Sequence, residues 1–292
     1  MLGVIAAVPT PIDHKGNPII EKFLSYCSWV LQNGCDGINI LGSTGEANSF
    51  SSDQRKLIMK SAAKNLDKQK LMVGTGNPSL AESINLTEFA NDLGYKVALV
   101  LPPFYYKPLT NEGLFIWYQT LHEKLGNRKI KIFFYNFPQM TGLTIPIEVI
   151  EELHKRWPDR FSGIKDSSGD LNYCRILSKN KNFNVFPSSE VSILEAHKSK
   201  FAGCISATVN QTLFLSSKAW ANKSQNIEDI ILQIKKIREE ISKESLIPSI
   251  KYLVSKQTKS KTWQNLLPPL SALSKDRRIE LTSLHDKLFS QK

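Results

Sequence analysis

No apolar run in this 292-residue chain reaches the ~18 residues that a membrane-spanning helix needs. The opening stretch, MLGVIAAVPTP, is too short for a secretory signal and is stopped by proline, so the cytoplasm is the expected compartment. Cysteine is scarce. Cys27, Cys35, Cys174 and Cys204 form no C-x-x-C, sit among apolar neighbours and have no histidine at ligand spacing, which speaks against a metal site and predicts buried free thiols. The five histidines fall mostly in charged helical segments, and no metal is expected. A glycine-rich phosphate cradle is missing too: the turn after the first apolar run reads PTPIDHKG, with no G-x-G-x-x-G, which argues against a dinucleotide cofactor. Acid is in deficit, with 27 Asp and Glu against 38 Lys and Arg, for a net charge of +11. The lysines are dispersed and stacking aromatics are not interleaved with them, so the reading is a solvated basic surface with no nucleic-acid or membrane partner.

What the chain does contain is alternation. At 41% hydrophobic and 22% charged residues it can build a sizeable core. Strand-like runs at Gly3–Val8, Gly37–Leu41, Lys70–Gly74, Val97–Leu101, Ile130–Tyr135, a sixth ending at Lys165, Asn184–Phe186 and Gly203–Ala207 are separated by amphipathic segments. Asn17-Pro18 reads as cap and first position of one helix, closed by Gly34; Ser51-x-x-Gln54 and Ser79-x-x-Glu82 have the form of capping boxes, and Gly94 ends the second of these helices. Thr110 opens another, and a further helix is expected over 145–156. Eight strands with intervening helices predict an α/β fold, a (β/α)8 TIM barrel over residues 1–222. After Trp220 only helical patterns remain, at 227–241, 246–254 and 275–289, with Pro268-Pro269 at a bend. Residues 223–292 are therefore expected to form a C-terminal helical extension packed on the barrel.

Parallel barrels place chemistry at the carboxyl ends of their strands. There this sequence sets Gly42-Ser43-Thr44-Gly45-Glu46, Phe104-Tyr105-Tyr106, Tyr135-Asn136-Phe137-Pro138, Lys165, Ser188-Ser189-Glu190 and Ile205-Ser206. A lysine beyond a strand more often snorkels to water, and a tyrosine there is more often a packed aromatic. An amine held out of water, however, is suited to attack a ketone and form an imine, and a phenol can relay protons. Two glycines around two hydroxyls form a turn able to hold a small carboxylate. Together these parts describe an aldolase working through a lysine imine.

GSTGE at 42–46, YNFP at 135–138 and GIKDSSGD at 163–170, in this order and spacing, resemble the dihydrodipicolinate synthase / N-acetylneuraminate lyase family. The likeness extends into the tail through IPSIKYLV and LLPPLSALS. The resemblance implies that Lys165 is the Schiff-base lysine and Tyr135 the proton-relaying tyrosine. It implies that Ser43 and Thr44 bind the pyruvate carboxylate, and that Ile205 lies beside bound pyruvate. Tyr105 matches a tyrosine that a neighbouring subunit inserts into the relay. It further implies a homotetramer, a dimer of dimers, with small-molecule substrates and no cofactor.

One departure bears on the branch. Synthases of the family usually carry arginine two residues after the YNxP proline, where it binds the aldehyde's carboxylate; here the position is Met140, which cannot make that bidentate contact. Ser167, Ser189 and Glu190 stand where the lyase branches meet sugar hydroxyls, although Val191 follows Glu190 and Ser188 replaces a family glycine. The expectation is a lyase acting on a 2-keto-3-deoxy sugar acid or N-acetylneuraminate-like acid. The alternatives are synthesis from pyruvate and aspartate semialdehyde, and a 2-oxo-acid-binding module without turnover.

Overall fold

The computed structural model describes residues 1–222 and 227–289. The stretches 223–226 and 290–292 of the expected helical region lie outside the described residues. Strands β1 (Gly3–Ala7), β2 (Gly37–Ile40), β3 (Leu71–Gly74), β4 (Val97–Val100), β5 (Lys131–Asn136), β6 (Phe161–Asp166), β7 (Asn184–Pro187) and β8 (Gly203–Ser206) form one parallel sheet in the order β7-β6-β5-β4-β3-β2-β1-β8. Across the remaining seam the Ala202 N–H, just before β8, donates to the Val185 carbonyl of β7 at 2.9 Å, so the sheet nearly closes into a (β/α)8 TIM barrel. Helices α1 (Ile20–Gln32), α2 (Ser52–Asn65), α3 (Leu80–Asp92), α4 (Asn111–Leu125), the short α5 (Pro138–Thr141), α6 (Ile147–Arg156), α7 (Leu171–Leu177), α8 (Ile193–Ser199) and α9 (Val209–Ala221) accompany the strands. The chain then runs into α10 (Glu228–Ile241), α11 (Leu246–Gln257) and α12 (Lys275–Phe289), with no strand among the described residues of this region.

Strand alternation sorts the side chains into two cores. In β5, Ile132 and Phe134 join the outer core under the helices, whereas Phe133 and Tyr135 join the cluster inside the barrel with Ile5, Leu99, Phe186 and Ile205. β6 breaks the alternation once. Its pairing with β5 jumps from Ile132↔Phe161 to Phe133↔Gly163, leaving Ser162 as an extra residue. A bulge reverses the side-chain parity beyond it. Phe161 therefore faces outward onto Phe134, Gly163 lies against the Phe133 ring, Ile164 faces outward again, and Lys165 turns into the barrel beside Tyr135. A Cβ at Gly163 would sit 2.8 Å from that ring, so glycine is required there.

Two expected helix starts differ from the structure. Asn17 does not cap α1, which begins at Ile20 without a side-chain cap. Its side-chain oxygen instead accepts from Gln54 Nε2 at 3.3 Å, its N–H donates to Asp13 Oδ1 at 2.8 Å in a tight turn, and Pro18 bridges Ile12. At α3 only half of the expected capping box forms: Ser79 Oγ accepts from the Glu82 N–H, but the Glu82 carboxylate is drawn to Ser52 and Asn85. The box at Ser51 and Gln54 is complete.

Candidate active site

Lys165 is buried, 4% exposed, and its Nζ faces a phenol rather than a carboxylate. Nζ donates to Tyr135 Oη at 3.2 Å and lies 4.4 Å from the centre of that ring. Tyr135 Oη in turn shares a hydrogen with Ser43 Oγ at 3.3 Å. Amine, phenol and hydroxyl thus form one chain across the ends of β6, β5 and β2, and among the described residues Lys165 has no ion-pair partner. Thr44 is buried in the same turn as Ser43, and Ile205 is fully buried in the inner core that includes Tyr135.

Local sequence explains the frame. Tyr135 points in and Asn136 points out, where its Nδ2 donates to Asp166 Oδ1 at 2.7 Å and its Oδ1 accepts from the Ile145 N–H at 3.0 Å. Asp166 accepts a second bond from Ser168 Oγ at 2.8 Å; burial pushes its carboxyl above the usual range, against the pull of these donors. Gly169 takes a positive φ of 87°, and Asp170 caps α7 by accepting from the Asn172 and Tyr173 N–H groups. GIKDSSGD therefore reads as bulge exit, inward lysine, outward brace, turn and cap.

The Gly42–Glu46 turn is held from two sides. Thr10 donates its hydroxyl to the Gly45 carbonyl at 3.1 Å. Glu46, 4% exposed, forms a fully buried ion pair with Lys251 of α11, while its other oxygen accepts from the Leu267 N–H at 2.8 Å. Burial draws the Lys251 ammonium below the usual lysine range although Glu46 acts in the opposite sense.

The remaining expected residues divide. Glu190 is not brought to the site. It is completely buried, accepting from Thr212 Oγ1 at 2.8 Å and pairing with Arg238 of α10 at 3.2 Å, so its carboxylate is engaged within the protein. Ser189 is half-buried and spends its hydroxyl on the Val191 N–H at 3.3 Å. Ser167 follows β6 directly, half-buried, its N–H donating to the Asn136 carbonyl at 2.7 Å. Met140 is 65% exposed and lines a cavity of about 230 Å³ with Ser43, Leu101, Phe104, Ile247 and Leu270. Tyr105 is 74% exposed, packed edge-on against Tyr106, and makes no hydrogen bond to Tyr135 or Ser43 among the described residues. A larger cavity, about 810 Å³, lies between Tyr252 and α12 on the tail, away from these groups.

The sequence matches the dihydrodipicolinate synthetase family over residues 1–288. The chain belongs to that family. A DapA-like lyase of Chloroflexus aurantiacus, itself uncharacterised, is 26% identical, with 99% of this chain and 97% of the relative covered. The 4-hydroxy-tetrahydrodipicolinate synthase of Ligilactobacillus salivarius is 31% identical across 70% of this chain and 69% of its own length. In three dimensions, the crystal structure of dihydrodipicolinate synthase from Agrobacterium tumefaciens superposes with a TM-score of 0.90 at 26% identity, covering 99% of this chain and 100% of that one. This is the fold of the class I aldolases and lyases.

Within the family frame, Asn136, Asp166, Lys251 and Arg238 are the residues that sequence reasoning passed over. Asn136 and Asp166 stood inside the quoted motifs, so their adjacency to Tyr135 and Lys165 was a usable signal. Lys251 gave a weaker one: a lysine on the apolar side of IPSIKYLV, between Ile250 and Leu253, both fully buried. No helix among the described residues is long and apolar enough to cross a membrane, and none of their His, Cys, Asp and Glu side chains cluster in a way that could hold a metal. All four cysteines are free and buried, and burial pushes the Cys35 thiol up to about 12.

Proposed function

We propose that this protein is a lyase that forms an imine between Lys165 and pyruvate or a related 2-oxo acid and then makes or cleaves a carbon–carbon bond. The observation that carries the reading is the Lys165–Tyr135–Ser43 chain at 3.2 and 3.3 Å, with the lysine and tyrosine buried and the serine half-buried at the carboxyl ends of the strands. The Lys165 amine, in its neutral form, attacks the C2 carbonyl; the carbinolamine loses water, and Tyr135 carries protons to and from the departing oxygen. The protonated imine then accepts the electron pair of the breaking bond, or supplies it as the enamine for bond formation. Ser43, Thr44 and the backbone of their turn hold the carboxylate next to that carbon, fixing its orientation. The reaction needs no cofactor.

For the second substrate, we favour a 2-keto-3-deoxy sugar acid or an N-acetylneuraminate-like acid. Ser167 supports this, since its hydroxyl is bonded to no other protein group among the described residues. Met140 supports it by omission, because a thioether gives the carboxylate of aspartate semialdehyde no cation. Synthesis from pyruvate and aspartate semialdehyde is the second reading, favoured by the likeness to the Ligilactobacillus synthase. Assembly belongs to the same proposal. Tyr105 and Tyr106, 74% and 78% exposed at the mouth, offer an aromatic patch for a second copy of the chain in a homotetramer. Residues 1–222 would supply the reacting groups and 223–292 the packed extension.

The test is borohydride reduction in the presence of pyruvate, followed by peptide mass spectrometry. One adduct on Lys165 is expected; no adduct, or one on a different lysine, defeats the mechanism. Pyruvate release from a panel of 2-keto-3-deoxy acids, against pyruvate consumption with aspartate semialdehyde, separates the two substrate readings, and single-turnover cleavage separates an enzyme from a binding module.

A further inference from the structure

The turn that carries Ser43 is bounded by two residues in the left-handed region, Leu41 at φ 52° and Glu46 at φ 57°. Neither is glycine, asparagine or aspartate, the types that adopt this conformation most readily. Such a backbone persists where its surroundings over-determine it. At Glu46 the restraint is visible. The carboxylate is clamped between the Lys251 ammonium and the Leu267 N–H, and Lys251 is itself completely buried in the middle of α11. The clamp is mechanically continuous with the site: the Glu46 N–H donates to the Ser43 carbonyl at 3.0 Å, and the Ala47 N–H to the Gly42 carbonyl at 3.3 Å.

From this we propose that Lys251 is a positioning residue for catalysis, holding the Ser43–Thr44 turn through Glu46 in the shape that receives the carboxylate of the 2-oxo acid. The inference rests on the reading of that turn as the carboxylate cradle. Lys251 touches no reacting atom in this scheme, and its contribution appears in how well the oxo acid is held rather than in the intrinsic reactivity of Lys165. A helix of the C-terminal extension thereby becomes part of the active-site frame, joined to it across 205 residues of sequence.

The deciding experiment follows the rate of borohydride trapping against pyruvate concentration in the full chain. Lys251→Met alone leaves a buried carboxylate unpaired and can unfold the protein, so the principal variant is the double one, Lys251→Met with Glu46→Leu, which leaves neither charge uncompensated. With folding verified by circular dichroism and thermal melting, its half-saturating pyruvate concentration should rise at least tenfold while the maximal trapping rate changes less than threefold. Glu46→Gln, which keeps an acceptor for the Lys251 ammonium, should fall between, at about threefold. A folded double variant whose half-saturation stays within twofold of the unaltered protein overturns the positioning role. So does a double variant that cannot fold, since the pair is then a matter of stability alone. If the unaltered protein itself gives no trapped adduct, the imine reading fails and this inference falls with it.

Discussion

Lys165 and Lys251 are both out of contact with water, at 4% and 0% exposure, but they occupy different parts of the molecule and face different groups. Lys165 projects into the barrel mouth against a phenol, and among the described residues it has no carboxylate partner. Lys251 projects from the helical extension into a carboxylate that is itself buried. An amine within reach of a hydroxyl alone is geometrically free to meet a carbonyl; one held against a carboxylate serves as a strut. The difference shows that burial of a lysine does not by itself mark a nucleophile. What sits within hydrogen-bonding reach decides.

The sharpest way to break the comparison is to remove each amine in turn. Lys165→Met should abolish pyruvate trapping and lower carbon–carbon bond cleavage by on the order of 10⁴-fold or more, with little effect on the unfolding midpoint in urea. Tyr135→Phe keeps the amine and removes the relay, so turnover should drop by roughly 10² to 10⁴ while slow trapping persists. Lys251→Met should show the reverse pattern, with a stability loss of about 3–5 kcal/mol from the orphaned Glu46 and an adduct still located on Lys165. Urea titration and mass spectrometry on one preparation would read both quantities. The smallest expected effect is at the rim, where Met140→Arg should raise synthase activity with aspartate semialdehyde more than it raises cleavage of any sugar acid. The opposite ranking would remove the argument drawn from Met140.

Much of this was legible in the sequence. Strand and helix alternation up to Trp220 gave the barrel, because period two and period 3.6 are local properties of a chain. The strand-end rule then gathered Lys165, Tyr135 and Ser43 without knowledge of any contact. What escaped reading depends on partners far along the chain. The inward turn of Lys165 comes from a bulge against β5, and no pattern within Phe161–Asp166 announces which strand it pairs with. Glu190 reads as a polar loop residue open to substrate until Arg238, 48 residues later, is seen to claim it. The same applies at the helix starts: Asn17 has the right chemistry for a cap, but its side-chain oxygen accepts from Gln54 Nε2, 37 residues later, instead.

The contact between Glu46 and Lys251 also sets an order of events during synthesis. A ribosome that has made all eight strands has completed the barrel lining, yet the residue that secures the Ser43 turn has still to be translated. Under the proposed mechanism, a nascent or C-terminally clipped chain ending before α11 would carry the nucleophile without the fitted seat for its substrate, and full catalytic competence would arrive only with about the last sixth of the polypeptide.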